Sequence, residues 1–119
     1  MKTIQFIILI ILLSISINSC KNGVAIIVDN NSNELIDSLI ISNDFFKVKH
    51  LSLKKNQRFK TFADFNLNNN KNDGIFNLTF YSNKKTQRFN FGYYSNGTPP
   101  SKDLIIKVLN DSIYVVQKK

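Results

Sequence analysis

The feature that most restricts this chain is an alternation of period two that starts after Gly23 and recurs to the end. It is plainest from Arg58 onward. Phe59, Thr61, Ala63, Phe65 and Leu67 fall on one face, and Arg58, Lys60, Asp64 and Asn66 on the other, with Phe62 the exception. Successive strand side chains point to opposite faces, so such a segment offers one apolar and one wet face; wound as a helix, the same residues would scatter around the axis. Phe76, Leu78 and Phe80 alternate with Asn77 and Thr79 in the same way, and Phe89, Phe91 and Tyr93 with Arg88, Asn90 and Gly92. Phe46-Lys47-Val48-Lys49 repeats the pattern. Its phase slips at His50-Leu51, as at a bulge, and continues at Leu53. Residues 24–28 are a continuous, mostly β-branched run, and 35–41, 104–109 and 113–117 are further segments of strand length.

Turn formers separate these runs. Residues 29–34, 54–57, 68–74, 82–86 and 110–112 are polar, and 95–100 combine Asn96-Gly97 with Pro99-Pro100, which cannot pair in a ladder. Short strands at spacings of about 8–12 residues predict an all-β antiparallel β-sandwich, immunoglobulin-like or transthyretin-like, of seven to eight strands. One buried face per strand favours antiparallel sheets. Nine of the ten phenylalanines follow residue 20 and supply core volume; the single cysteine permits no internal disulfide.

The first nineteen residues do not share the pattern. Lys2 supplies a positive charge, and an apolar block runs from Ile4 to Ile17, interrupted by Gln5, Ser14 and Ser16. Fourteen residues are too few for a spanning helix, which needs about 20. A basic head, an apolar core and a small-residue exit instead form a secretory signal. Behind it, Ile17-Asn18-Ser19-Cys20 resembles a bacterial lipobox, with Ile17 at the aliphatic position, Ser19 at the small one, and Asn18 where Ala, Ser or Thr is commoner. The resemblance implies cleavage before Cys20 and lipidation of its thiol, which anchors the chain stably in a membrane. Lys21, standing where an aspartate would retain such a protein at the inner membrane, implies the outer membrane of a Gram-negative envelope. The expected organisation is a signal over 1–19, a lipidated cysteine and short tether over 20–23, and one sandwich domain over 24–119.

The net charge of +8 concentrates in one region, since Lys47, Lys49, Lys54, Lys55, Arg58 and Lys60 occur with no acidic residue between Asp44 and Asp64. On a hairpin, Lys47 and Lys49 share a side with Arg58 and Lys60, a basic patch for an anionic glycan or protein. An AT-rich coding bias toward Lys, Asn and Ile explains much of the same composition. Nucleic acid is not an expected partner of an envelope protein. The second candidate is the loop after Phe89-Asn90-Phe91-Gly92-Tyr93-Tyr94, where Tyr94 falls on the polar face beside Asn96, as in surfaces that stack on sugars or anchor protein contacts.

Catalysis has little support. His50 is the only histidine and Cys20 the only cysteine, so no His-based metal cluster or thiol chemistry is expected, and no cofactor. Asp29-x-Asn31-x-Asn33 resembles the opening of a calcium loop, but Glu34 stands where that family has glycine and Ile40 where it has its closing glutamate, so an Asx-rich turn is the expectation. The sequence thus predicts a non-catalytic binding or accessory module of the envelope. The alternative is an immunity or inhibitor protein that blocks a periplasmic toxin or hydrolase.

Overall fold

A computed structural model describes residues 2–5, 7 and 22–119. Eight strands follow one another: β1 (Gly23–Asn30), β2 (Ile36–Ser42), β3 (Lys47–Leu53), β4 (Arg58–Asp64), β5 (Gly74–Ser82), β6 (Lys85–Tyr94), β7 (Asp103–Val108) and β8 (Ile113–Lys118), with a 3-10 turn at Phe65–Leu67. They form two four-stranded sheets. Sheet A has the order β4-β1-β7-β8 and sheet B the order β3-β2-β5-β6. Immunoglobulin domains place their first, second, fifth and fourth strands in one sheet. The observed order excludes that arrangement and leaves the transthyretin-like one.

All pairings are antiparallel except one: β1 and β7 run parallel, with Ile27 opposite Ile105 and Asp29 opposite Lys107. This departs from the all-antiparallel expectation. The physical trace in the sequence is an unbroken apolar stretch in the middle of each strand, residues 24–28 of β1 and 104–106 of β7, as in strands covered on both faces. Val24, Ile26 and Val28 of β1 and Leu104, Ile106 and Val108 of β7 fill the core. Ile27 and Ile105 point to the outer face yet are only 7% and 8% exposed, flanked by Lys60 of β4 and Val116 of β8 in the ladder.

Sheet B completes the core with Leu39, Ile41, Phe76, Leu78 and Phe80. One end of the sandwich is closed by aromatic rings. Phe65 meets Phe45 and Tyr94 edge-on at 5.0 Å each, and Tyr94 lies 5.6 Å from Phe76. Edge-to-face pairs of this kind add about 0.5–1.5 kcal/mol each beyond burial.

Two local departures have clear causes. The phase slip in β3 falls at Ser52 (φ 61°), not at His50-Leu51, so His50 faces inward and Leu51 is 63% exposed. It is matched in β2, where the register against β5 shifts between Ile36 and Ser38. Leu67 leaves the apolar face because the chain quits β4 at Asp64, whose side chain accepts the Asn66 N–H and starts the 3-10 turn.

The two open sides of the sandwich differ. Along β3 and β4, the His50 ring stacks on Phe59 at 4.5 Å and bridges the sheets. Along β6 and β8 no such bridge forms among the described residues, and the gap opens into a cleft.

Candidate functional site: the outer face of sheet B and the cleft at its edge

The expected basic hairpin does not form. Lys47 and Lys49 lie exposed on β3 in sheet B, whereas Arg58 and Lys60 lie on β4 in sheet A. The cause is the connecting turn. Asn56, at φ 64°, donates its N–H to Asn30 O, and Asn30 N–H donates to Gln57 O. The turn is thereby tied to the end of β1, and the chain crosses to sheet A instead of folding back on β3. Arg58 is moreover engaged. Its Nε and Nη2 donate to the two oxygens of Asp29 at 2.6 and 3.0 Å, and Lys107 Nζ approaches the same carboxylate at 3.3 Å. Hydrogen bonding from Arg58, helped by Lys107, holds the Asp29 carboxyl below the usual range against the opposing effect of its burial.

Tyr94 is also misplaced by the alternation: it is 3% exposed, inside the aromatic cluster. Gly92 at φ 65° inserts a bulge, visible as a register shift between Gly74 and Phe76, and flips the phase so that Tyr93 points outward at 63% exposure. Burial, with the nearby Asp44 charge, pushes the Tyr94 phenol up. Asn96 is exposed as expected. Asn96 and Gly97, both at positive φ, form a tight turn closed by the Ser95–Thr98 bridge, and Asn96 N–H donates to Asp73 Oδ1 at 2.7 Å. Cys20 lies outside the described residues.

What the fold does bring together is the outer face of sheet B. Ladder register sets Lys49, Ile40, Thr79 and Arg88 in one row across the four strands, Lys47, Ser42, Asn77 and Asn90 in the next, and Leu51, Ser38, Tyr81 and Thr86 on the other side. At the spacing of adjacent strands a row spans about 14 Å. The three rows hold three cations and no carboxylate. Asp37, at the β2 bulge, and Asp73, beside Asn96, bound the two ends. Tyr81 is 40% exposed, and Tyr93 extends the face toward the Asn96 turn. Arg88 was not among the candidates, because only the order β3-β2-β5-β6 brings it into the same row as Lys49, with β2 and β5 between them. The signal that could have found it was the alternation of Arg88 with Phe89.

The second feature is the cleft, about 500 Å³, between the start of β6 and the β7–β8 turn. Ile36, Phe80, Phe89 and Ile113 floor it, and Glu34, Lys85, Gln87 and Asp111 are among its polar rim. The wall formed by the β1–β2 loop is built on Asn30. This fully buried side chain donates to Glu34 O and Leu53 O, both at 2.9 Å, and accepts from Ser32 N and Ser32 Oγ. Asn110 Oδ1 accepts the Asn33 N–H at 2.6 Å and ties this loop to the β7–β8 turn. The segment with calcium-loop likeness is therefore an Asx-centred turn, and its Asp29 belongs to β1 of sheet A, with its carboxylate taken by Arg58 and Lys107. Among the described residues, no three His, Cys, Asp or Glu side chains are grouped to hold a metal.

No family model matches the chain, and no curated protein matches it. A solved structure, the NMR structure of a protein from Eubacterium rectale, superposes with a TM-score of 0.58 at 13% identity, over 86% of this chain and 96% of that one. That likeness extends across nearly all of the neighbour and concerns the fold alone.

Proposed function

We propose that this chain is a lipid-anchored, non-catalytic binding protein of a Gram-negative envelope, and that the outer face of sheet B takes an anionic glycan. The observation that carries the reading is the carboxylate-free set of rows with Lys47, Lys49 and Arg88 between Tyr81 and Tyr93. Cations attract carboxylated or sulfated sugars, asparagine and threonine side chains offer hydrogen bonds, and exposed tyrosines supply stacking surface. The lipobox-like Ile17-Asn18-Ser19-Cys20 supports the anchor, and β1 begins three residues after Cys20, which holds the domain against its membrane.

The test is titration calorimetry of the full chain with oligogalacturonate against its neutral methyl ester. The reading expects saturable binding of the acid form alone, weakened by salt because screening lengths near 0.1 M are about 10 Å. It also expects roughly tenfold loss in the Lys49→Glu, Arg88→Glu double variant. Equal binding of the ester, or an indifferent double variant, would overturn it. The anchor is tested by intact mass of membrane-purified protein, wild type against Cys20→Ser: added acyl mass on a chain starting at Cys20, lost in the variant, is the expected result.

A further inference from the structure

Four strands end the two sheets, and three of them are guarded against pairing with another chain. β3 carries Lys47 and Lys49 and the left-handed Ser52; β4 carries Arg58 and Lys60; β6 carries Lys85 and Arg88 and the Gly92 bulge. Charges and bulges of this kind are how sheet edges are kept from adding strands. β8 is different. From Ile113 to Gln117 it reads Ile-Tyr-Val-Val-Gln, with no charge, proline or positive φ, and its one cation, Lys118, is at the last position. β7 satisfies one side of its backbone. The other side faces the open flank of the sandwich, and the cleft floored by Phe80, Phe89 and Ile113 lies beside it.

We infer that β8 accepts an extended peptide segment of another protein as a fifth strand of sheet A. The segment's backbone pairs with the free amides and carbonyls of β8. Its inward side chains, every second residue, drop into the gap beside Ile113 and Val115 and over Phe89, so they are apolar. Its outward side chains continue the row Ile27, Ile105, Val116. Main-chain pairing supplies affinity and the cleft supplies selectivity, as in other strand additions. Near Lys118 and Lys119, with Lys102 N–H bonded to Lys118 O, the edge is basic, which favours an acidic residue at that end of the segment. The occupant is a free segment and not a second copy. A strand built into another sandwich keeps its inward side chains in its own core and cannot lower them into this cleft, and two chains of net charge +8 repel.

The probe is an acetylated seven-residue peptide alternating valine with threonine and bearing aspartate at each end, added to the full chain. Amide hydrogen exchange is followed by NMR, with light scattering to report self-association. The expected result is new protection of the β8 amides that β7 leaves free, at about millimolar peptide or below, with no change at β3 or β4. The same peptide N-methylated along one edge is expected to lose at least about tenfold in affinity, equivalent to about 1.4 kcal/mol; this control leaves the protein's fold untouched. Val116→Lys, a guard on the outer face, is expected to weaken binding similarly. No protection at β8, protection at β3, β4 or β6 instead, or equal binding of the methylated peptide would overturn the inference. Protection of β8 that rises with protein concentration and without peptide would also overturn it, and would identify a second copy as the occupant.

Discussion

Replacing Asn30 tests how the cleft wall is held. Its side chain is fully buried and makes four hydrogen bonds, two donated to Glu34 O and Leu53 O and two accepted from Ser32. In Asn30→Ala, Leu53 O loses this donor and Ser32 N–H loses its acceptor. Ser32 Oγ still reaches Glu34 O at 3.2 Å, so that carbonyl keeps a partner. Buried groups left unsatisfied cost about 1–3 kcal/mol each, and some relaxation is expected in a loop, so the total is about 2–4 kcal/mol. A domain of this size loses roughly 4–8 °C of Tm per kcal/mol, which gives a fall of about 10–25 °C by circular dichroism. Asn30→Asp sharpens the test. Its carboxylate would face two carbonyl oxygens in a buried site, so its folded pKa rises above the unfolded value. The group's stability contribution is then retained below the unfolded pKa and lost as pH rises through the folded one. Asn30→Asp is therefore expected to be the worse variant at neutral pH, with its deficit relative to wild type shrinking toward about pH 4. An Asn30→Ala protein within about 0.5 kcal/mol of wild type, or an Asn30→Asp deficit that ignores pH, would refute the reasoning.

Three further outcomes are expected. Tyr94→Ala should cost about 3–5 kcal/mol of stability in urea unfolding, whereas Tyr93→Ala should stay within about 0.5 kcal/mol and act on ligand binding instead. Gly92→Ala places a Cβ 2.7 Å from Leu104 Cδ1 at a φ of 65°, so a loss of at least about 1–2 kcal/mol is expected from the backbone conformation alone, read as a lower denaturant midpoint without a change in slope. The Asp29 carboxyl is held down chiefly by the Arg58 hydrogen bonds. Its contribution is therefore full above the unfolded carboxylate range, about pH 4, and is lost as pH falls through the depressed folded pKa. The stability gap between wild type and Asp29→Asn should close at acid pH in a urea series.

The strands were legible because each side chain reports its own face. Apolar and alternating segments bounded by Asn, Gly and Pro turns predict seven to eight strands, and the described residues form eight. What the alternation could not carry is phase across a bulge. One glycine at positive φ exchanged Tyr93 and Tyr94 between water and core, and a left-handed Ser52 did the same for His50 and Leu51. Pairing between distant segments was also beyond local pattern. Whether Lys47 and Arg58 shared a face depended on hydrogen bonds from the 54–57 turn to Asn30, far earlier in the chain. The candidate site suffered for the same reason: Lys47 and Lys49 were found, but the cation that shares their face, Arg88, comes from β6 at the opposite edge of the sheet. The floor of the cleft was seen only as core residues, since nothing in a strand's sequence says that its sheet edge lies uncovered.

The central claim is that sheet B presents an anion-binding face, and the most direct measurement is a map of amide chemical shifts of the full chain titrated with oligogalacturonate. The account predicts saturable shifts centred on Ile40, Lys49, Thr79 and Arg88, spreading to Lys47 and Asn90 and fading with salt. Shifts centred on the outer face of sheet A around Lys60 and Lys107, or none at any concentration, would contradict it.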